Sequence, residues 1–280
     1  MEKIAALFTR NLYILPGGYF LVQFIKNLFQ KNYTEPEWRT FSFRGIHMKV
    51  DISKSMGAAI YWRGAHDWAP IFVLGEILKK GQTIIDVGAN QGEYSLWAVK
   101  QAGPLGKVIA FEPMDGLYEQ LKTNFSLNPG YQKSLIPIKT GLSDKPGQLN
   151  LYGKDGDNEG VNTMFPTASH TVLIQEIKLD TLDNQLELLK LNQVNLIKVD
   201  VEGAELQVLK GAMKTLEKYK PYLMIEINRE ACLAGGYEPE EIFDLLRPLG
   251  YTFEKIGLRG KRIPVSQVPQ EFCNILATAK

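Results

Sequence analysis

Short apolar runs separated by segments of helical periodicity dominate residues 83–227. The runs Thr83–Val87 and Lys107–Phe111 show little alternation of apolar and polar positions, which is typical of parallel strands buried on both faces. Because parallel neighbours need helical crossovers, this order predicts an α/β fold with a doubly wound, mostly parallel sheet. Three more runs of the same kind are Leu135–Ile138, Val194–Val199 and Tyr222–Ile227.

The segments between these runs carry apolar stripes at helical spacing. Leu117, Leu121 and Phe125 recur every four residues, so they face one side of a helix. Two strand-like runs, Tyr251–Ile256 and Phe272–Thr278, close the chain and predict an antiparallel hairpin at the sheet edge. Further helices are predicted at Ala69–Lys80 with Gly81 as its cap, along one stripe from Leu206 to Leu216, and at Glu240–Leu246.

The pattern predicts a helical and hairpin extension at 1–55, before a main domain at 56–280. Apolar positions alternate over Thr40–Val50 and are interrupted at Arg44-Gly45, which predicts a strand hairpin. The apolar run Leu12–Val22 contains a Pro-Gly-Gly break, lacks a cleavage site and is too short to cross a bilayer. A cytoplasmic location is therefore expected.

One helix of the extension, Gly18–Phe29, has an apolar side rich in aromatic residues. The simplest interpretation is packing on its own domain or on a partner subunit, so a homo-oligomer is possible. The alternative is weak contact with a membrane surface, in which Lys26 and Lys31 reach lipid headgroups. The apolar side comprises Tyr19, Phe20, Phe24, Leu28 and Phe29.

Composition excludes several classes of partner. The 280 residues include 32 Lys and Arg and 31 Asp and Glu, a net charge of +1, so no global basic field favours nucleic acid. The two cysteines, Cys232 and Cys273, lie outside any CxxC pair, which argues against a zinc site or a disulfide framework. We expect a soluble enzyme or binding module without a nucleic-acid partner and without a metal.

A candidate nucleotide site follows the first predicted core strand. Gly88-Ala89-Asn90-Gln91-Gly92 joins that strand to a helix beginning at Glu93, which brings backbone N–H groups to one point. The G-x-G-x-x-G fingerprint of dinucleotide sites is not met, because Asn90 and Glu93 occupy its second and third glycine positions. Asp86 would also repel a pyrophosphate, whereas the ammonium and sulfonium of S-adenosylmethionine would be attracted to it.

Glu112 supports the same cofactor. It lies 24 residues after Gly88, at the end of the second predicted core strand, where a carboxylate can accept both hydroxyl hydrogens of a ribose. The structural alternative for Asp86 and Glu112 is helix capping or pairing with lysines. The combined register of strand, turn, helix and carboxylate favours S-adenosylmethionine.

With these residues identified, the sequence resembles the FkbM family of methyltransferases over roughly residues 60–230. The resemblance rests on I-I-D-V-G-A-N-Q-G at 84–92, F-E-P at 111–113, G-L-S-D at 141–144, L-D-T-L at 179–182, and L-I-K-V-D-V-E-G-A-E at 196–205 with L-K-G-A at 209–212. It implies a seven-stranded, Rossmann-like class I methyltransferase sheet, S-adenosylmethionine as donor, and O-methylation of a hydroxyl on a sugar, glycolipid or small natural product. The implied cofactor-binding residues are Asp86, Gly88, Ala89, Asn90, Gly92, Ser95, Glu112, Pro113, Leu142, Ser143 and Asp200.

Four charged residues near two adjacent strand ends are the catalytic candidates: Lys198, Asp200, Glu202 and Glu226. Removing a proton from a hydroxyl acceptor requires a base, and Asp200 and Glu202 are the favoured choices. The structural alternatives are helix N-terminal stabilisation for Glu202 and a salt bridge for Glu226.

Other polar residues have weaker roles in this hypothesis. His66 and Asp67 precede the first helix of the main domain and can line the pocket, and Asn158–Thr163, within the polar stretch Asp155–His170, can cover the acceptor as a lid. Two other functions remain open: an NAD(P)-dependent oxidoreductase, and a non-enzymatic membrane-surface or scaffold module on the same fold.

Overall fold

The computed structural model describes residues 1–13, 15, 17–153 and 172–279 of the chain. The predicted lid at 158–163 lies outside these residues. Among the described helices, none combines the length and apolar character that crossing a bilayer requires.

The N-terminal extension packs directly on the main domain. The strands β1 and β2 pair antiparallel, and both turn residues, Arg44 and Gly45, have positive φ, as a tight hairpin turn demands. The free edge of β2 is bonded by two side-chain amides, one in a later helix and one just after it. Asn124 Oδ1 accepts from Lys49 N at 2.7 Å, and the Asn128 amide accepts from His47 N and donates to the His47 carbonyl. The hairpin is confirmed, whereas a domain boundary at 55/56 stays a prediction. The elements are α1 (Glu2–Tyr13), α2 (Gly18–Phe29), β1 (Trp38–Phe43), β2 (Ile46–Asp51), α3 (Ser55–Arg63) and α4 (Trp68–Ile77).

Strands and helices then alternate, as the apolar runs predict. Thr83–Val87 is buried throughout, and its alternate residues serve two cores: Ile84 packs on one side of the sheet, Ile85 and Val87 on the other. The elements of this half are β3 (Thr83–Val87), α5 (Glu93–Ala102), β4 (Lys107–Phe111), α6 (Asp115–Ser126), β5 (Leu135–Ile138), β6 (Gly141–Leu142), β7 (Gly147–Gly153) and β8 (Val172–Asp180).

The second half completes the sheet. The stripe from Leu206 to Leu216, predicted as one helix, forms two helices that are interrupted at Gly211. The Gly211 carbonyl accepts a hydrogen bond from Asp183 N. The Gly211 Cα packs so closely on the Ser143 carbonyl that a Cβ would lie 2.0 Å from its oxygen. The elements are α7 (Leu182–Leu189), β9 (Leu196–Val199), α8 (Glu205–Lys210), α9 (Met213–Tyr219), β10 (Tyr222–Ile227), α10 (Arg229–Ala234), α11 (Glu240–Leu246), β11 (Tyr251–Ile256), β12 (Arg262–Val265) and β13 (Cys273–Ala279).

The central sheet has the order β12-β11-β13-β10-β9-β3-β4-β5, with β10, β9, β3, β4 and β5 mutually parallel. It contains the seven expected strands, and the short β12 adds an eighth at one edge. The antiparallel pair expected from the two closing runs is present at one end of the sheet as β11 and β13. Within it β13 is the inner strand, between β10 and β11 and antiparallel to both, and β12 pairs outside β11. The β13 residues Ile275, Leu276 and Ala277 are fully buried, because both faces of this position are covered. A separate sheet of order β6-β8-β7 lies beside the site.

Candidate active site

Four neighbouring parallel strands end at one cavity of about 200 Å³. In open α/β sheets this edge is where ligands bind. Ten of the predicted site residues line the cavity, and four do not: Asp86, Gly92, Ser95 and Ser143. The ten are Gly88, Ala89, Asn90, Glu112, Pro113, Leu142, Lys198, Asp200, Glu202 and Glu226.

The turn after β3 is shaped by its glycines. Gly88 has φ 76°, and a Cβ there would lie 1.9 Å from the Asp200 carbonyl oxygen, so only glycine fits. The N–H groups of Gly88 and Ala89 both donate to the Phe111 carbonyl, at 3.1 and 3.0 Å. Gly92 lies behind the turn at the start of α5, where a Cβ would meet Leu121 at 2.7 Å. The turn is therefore locked to the end of β4.

Glu112 connects that strand end to the turn. Its Oε2 accepts from Asn90 N at 2.8 Å and its Oε1 from Met114 N at 3.0 Å. Burial raises the pKa of Glu112 to about 7, although both backbone N–H groups favour the ionised form. A carboxylate has about four acceptor positions, and backbone occupies two, so acceptors remain for the two hydroxyls of a ribose.

Lys198 is the buried cation of the site. Its Nζ lies 2.9 Å from the Gly88 carbonyl oxygen, 3.2 Å from Asp200 Oδ2 and 3.5 Å from Asp86 Oδ1. Burial alone would lower the pKa of Lys198, but Asp200 and Asp86 outweigh it and raise that pKa above its usual value. Lys198 therefore stays protonated and holds the Gly88 carbonyl oxygen together with Asp200 and Asp86.

Asp86 lies one layer behind the cavity. It is adjacent to Lys198 in the register of β3 and β9, and its Oδ2 accepts from Ser95 Oγ at 2.6 Å. The sequence hypothesis gave Asp86 and Ser95 direct contact with the cofactor; in the structure both are buried and act on the turn through Lys198 and α5. Ser143 is also displaced from the cavity, with its hydroxyl 3.2 Å from Asp144 Oδ1.

Three carboxylates form the other side of the site. Asp200, Glu202 and Glu226 are half-buried, and one oxygen of each lies within 4.8 Å of the others. Burial, followed by the charges of Asp200 and Glu202, raises the pKa of Glu226 far above its usual range, so that carboxyl is protonated at neutral pH. Burial and Asp200 also raise the pKa of Glu202 to about 7.

The backbone presents Glu202 to the cavity in a strained conformation. Glu202 has φ 52°, in the left-handed region that costs a non-glycine residue about 1 kcal/mol or more. The buried Glu205 holds this turn by accepting from Val201 N and Gly203 N, and Tyr237 donates to it at 2.7 Å. The predicted helix-terminal role thus belongs to Glu205, whereas Glu202 faces the cavity.

Two further residues on α5, Glu93 and Tyr94, line the cavity and were missed as site residues. Glu93 Oε1 accepts from His66 N at 2.7 Å, and burial raises the pKa of Glu93 to about 8. Their place in the first turn after Gly92 is the signal that could have identified them. His66 and Asp67 line the cavity as predicted. Burial lowers the pKa of His66.

The cavity wall is rich in acidic side chains, although burial keeps Glu93 and Glu226 neutral near pH 7. Among the described lining residues, six are acidic, and Lys198 is the only lysine or arginine. Such a wall attracts a sulfonium or an ammonium and repels a pyrophosphate. The acidic lining residues are Asp67, Glu93, Glu112, Asp200, Glu202 and Glu226.

Comparison with known proteins agrees with this geometry. A family model described as the methyltransferase FkbM domain matches residues 86–253, which are 168 of the 280 residues. The hexuronic acid methyltransferase AglP of Haloferax volcanii is 29% identical over 184 residues, 66% of this chain and 68% of AglP. The 2-O-methyltransferase NoeI of Sinorhizobium fredii is 24% identical over 181 residues, 60% of this chain and 72% of NoeI.

The coverage of relatives is partial in other cases. The chain spans 57% and 59% of the lengths of two further relatives named as methyltransferases. Among solved structures, the methyltransferase FkbM of Methylobacillus flagellatus superimposes with a TM-score of 0.50 at 17% identity, over 73% of this chain and 45% of that one. This likeness supports the fold.

Proposed function

The chain belongs to the FkbM family of methyltransferases, and from that premise we propose that it transfers the methyl group of S-adenosylmethionine to a hydroxyl oxygen of a sugar, a glycolipid or a small natural product. The family assignment confirms the predicted cofactor. One observation carries the proposal: a single cavity brings Glu112 and the Gly88 turn together with the carboxylates Asp200 and Glu202.

The residues present fit this cofactor. Glu112 would hold the ribose hydroxyls, the backbone of Gly88 and Ala89 would lie against the methionine portion, and Leu142 would contact the adenine from the small sheet. The electronegative wall suits a ligand with a sulfonium and an ammonium. When bound, S-adenosylmethionine supplies the electrophilic methyl group.

The protein must then orient the acceptor and accept its proton. We assign the proton acceptor to Glu202, because a base whose pKa is about 7 matches the operating pH. Asp200, paired with Lys198, accepts a hydrogen bond from the protonated Glu226. This arrangement leaves Glu202 as the carboxylate that titrates near neutrality beside the acceptor.

The charge of the wall also restricts the acceptor. A carboxylate or phosphate beside Asp200 and the ionised form of Glu202 would be repelled, whereas a neutral polyol would meet several hydrogen-bond acceptors. The name of AglP, a hexuronic acid methyltransferase, supports a sugar as the acceptor, and the name of NoeI, a 2-O-methyltransferase, supports an oxygen as the methylated atom. We therefore place neutral saccharides before hexuronates for this chain.

The experiment is methyl transfer from S-adenosylmethionine labelled with ¹³C on its methyl group to a panel of neutral glycosides, hexuronates and amines. We expect ¹³C–O-methyl resonances from neutral glycosides. Labelled N-methyl product alone would refute O-methylation, and stronger labelling of hexuronates than of neutral glycosides would refute the charge argument.

A further inference from the structure

The first two helices expose an unusual amount of apolar surface. Of the eighteen large hydrophobic side chains that are exposed among the described residues, ten lie within residues 1–28. Contiguous exposed apolar patches on soluble proteins commonly mark an interaction surface. The largest exposed fractions within the helices are those of Phe20 (78%), Ile4 (75%), Leu28 (65%), Phe24 (62%) and Phe8 (57%).

This surface is not the face that holds the helices on the domain. On α1 the inner face is anchored by polar contacts: Thr9 Oγ1 donates to the Trp62 carbonyl and Arg10 Nε to the Tyr61 carbonyl, both at 2.7 Å. On α2 the buried residues are Gly18 and Val22, and Phe20 and Phe24 lie on the side opposite Val22 at 100° per residue. Phe20 and Phe24 thus lie away from the side that holds α2 on the domain.

The charges of residues 3–34 indicate what kind of surface would bind there. Residues 3–34 contain no aspartate or glutamate, and the one acidic residue before them, Glu2, is paired with Arg39 at 2.7 Å. Lys3 and Lys31 lie in the same segment, whereas Lys26, four residues after the buried Val22, lies partly buried on the inner side of α2. The Arg63 guanidinium lies 5.9 Å from the Tyr19 ring centroid. Apolar side chains flanked by cations without carboxylates complement an anionic, apolar surface.

We propose that the outer face of α1 and α2, which we call the N-terminal face, docks this protein on the surface of an anionic lipid bilayer. The aromatic and leucine side chains would enter the acyl boundary, and Lys3 and Lys31 would lie among the headgroups. A second copy of the chain fits less well, because a two-fold interface would place lysines of one copy against lysines of the other without carboxylates from the segment between them.

The N-terminal face is connected to the active site through one helix. The inner side of α1 packs on α3, and α3 carries Met56 at the cavity wall. Docking would thus hold the cavity near the membrane. The inference does not require methyl transfer, since the contacts that support it are separate from the carboxylate site.

The test is co-sedimentation of the full chain with phosphatidylcholine vesicles made with and without phosphatidylglycerol. We expect binding to the anionic vesicles, weakened by salt, and at least about tenfold weaker binding for Phe20→Glu/Phe24→Glu. The matched control is Leu188→Glu/Leu258→Glu, which changes two equally exposed apolar residues elsewhere and should bind like wild type. Both variants should keep the wild-type circular dichroism and the affinity for S-adenosylmethionine.

Three results would overturn the proposal. The first is absence of binding to anionic vesicles by the folded wild-type chain. The second is equal binding by Phe20→Glu/Phe24→Glu and the control. The third is a wild-type dimer in light scattering that Phe20→Glu/Phe24→Glu dissociates, which would assign the N-terminal face to a second copy. Loss of cofactor binding with intact vesicle binding would count against the proposed function alone.

Discussion

The Asn90 N–H donates to Glu112 Oε2 over 2.8 Å, so the carboxylate at the end of β4 directly fixes the turn at the end of β3. The same carboxylate faces the cavity with acceptor positions to spare. Because Glu112 organises the turn, its proposed contact with the ribose would connect cofactor affinity to the shape of the site.

Replacing Glu112 should weaken cofactor binding more than it destabilises the fold. Hydrogen bonds to charged groups contribute about 1.5–3 kcal/mol, so we expect Glu112→Gln to weaken S-adenosylhomocysteine binding by roughly 10- to 100-fold in calorimetry. Glu187→Gln, an exposed position on α7, is the control and should leave affinity unchanged. Equal affinities for wild type and Glu112→Gln would contradict the ribose assignment.

Gly88 should tolerate no side chain. In Gly88→Ala the Cβ would lie 1.9 Å from the Asp200 carbonyl, and we expect a loss of more than about 2 kcal/mol in the free energy of unfolding, together with loss of cofactor binding. Gly81→Ala provides the comparison, because Gly81 has φ 80° but open space around its Cα. Gly81→Ala should lose only about 1–2 kcal/mol in the free energy of unfolding, because of its left-handed backbone, and should bind the cofactor normally. Denaturant unfolding distinguishes the two, and a Gly88→Ala variant as stable as Gly81→Ala would be inconsistent with the packing.

Lys198 should be needed for stability. Lys198→Met leaves Asp86 and Asp200 without their buried partner, and breaking such a pair costs about 3–5 kcal/mol. We expect a clear fall in Tm by calorimetry. Lys122→Met removes the partner of Glu119 on the surface and should change Tm little. Similar Tm values for both variants would show that the buried pairing is unimportant.

Glu93 should make the protein less stable as the pH rises. Its pKa is 4.5 when unfolded and about 8 when folded, so between these values the folded state binds more protons. The stabilisation is present below about pH 4.5 and is lost as the pH rises through about 8. Glu93→Gln keeps the oxygen that accepts from His66 N, and it should therefore gain Tm relative to wild type at pH 8 more than at pH 5.5. A pH-independent difference in Tm would contradict the buried, neutral carboxyl.

Glu202 should govern the pH dependence of turnover. A base must be deprotonated, so kcat at saturating substrates should rise with pH through about 7 and then level off. Glu202→Gln should lose about 100-fold or more in kcat while binding S-adenosylhomocysteine normally. If Glu202→Gln retains the wild-type rate and profile, Asp200 is the better candidate for the base.

Much of the fold was predictable because the local signals were strong. Thr83–Val87, Lys107–Phe111 and Tyr222–Ile227 are strands with the predicted bounds, since uninterrupted apolar runs have few other solutions. The placement of β13 was not predictable, because strand order depends on long-range packing that no local pattern encodes. The break at Gly211 likewise depends on a distant carbonyl, that of Ser143.

The site residues at the ends of neighbouring parallel strands were predictable from the sequence. Glu112, Asp200 and Glu226 were placed together correctly because parallel strands end at the same edge. The burial of Asp86 behind Lys198 was not foreseen, because which charge lies at the surface of a cavity depends on side-chain packing. Glu93 and Tyr94 were missed because only their place in the first turn after Gly92 indicates them, and that position alone does not say which side chains face the cavity.

The most direct test of the account is calorimetric titration of the wild-type chain with S-adenosylmethionine and, separately, with NAD⁺. The electronegative cavity and the Gly88–Glu112 arrangement predict one S-adenosylmethionine bound per chain and no measurable binding of NAD⁺. Binding of NAD⁺ without binding of S-adenosylmethionine would contradict the account and favour an oxidoreductase on this fold.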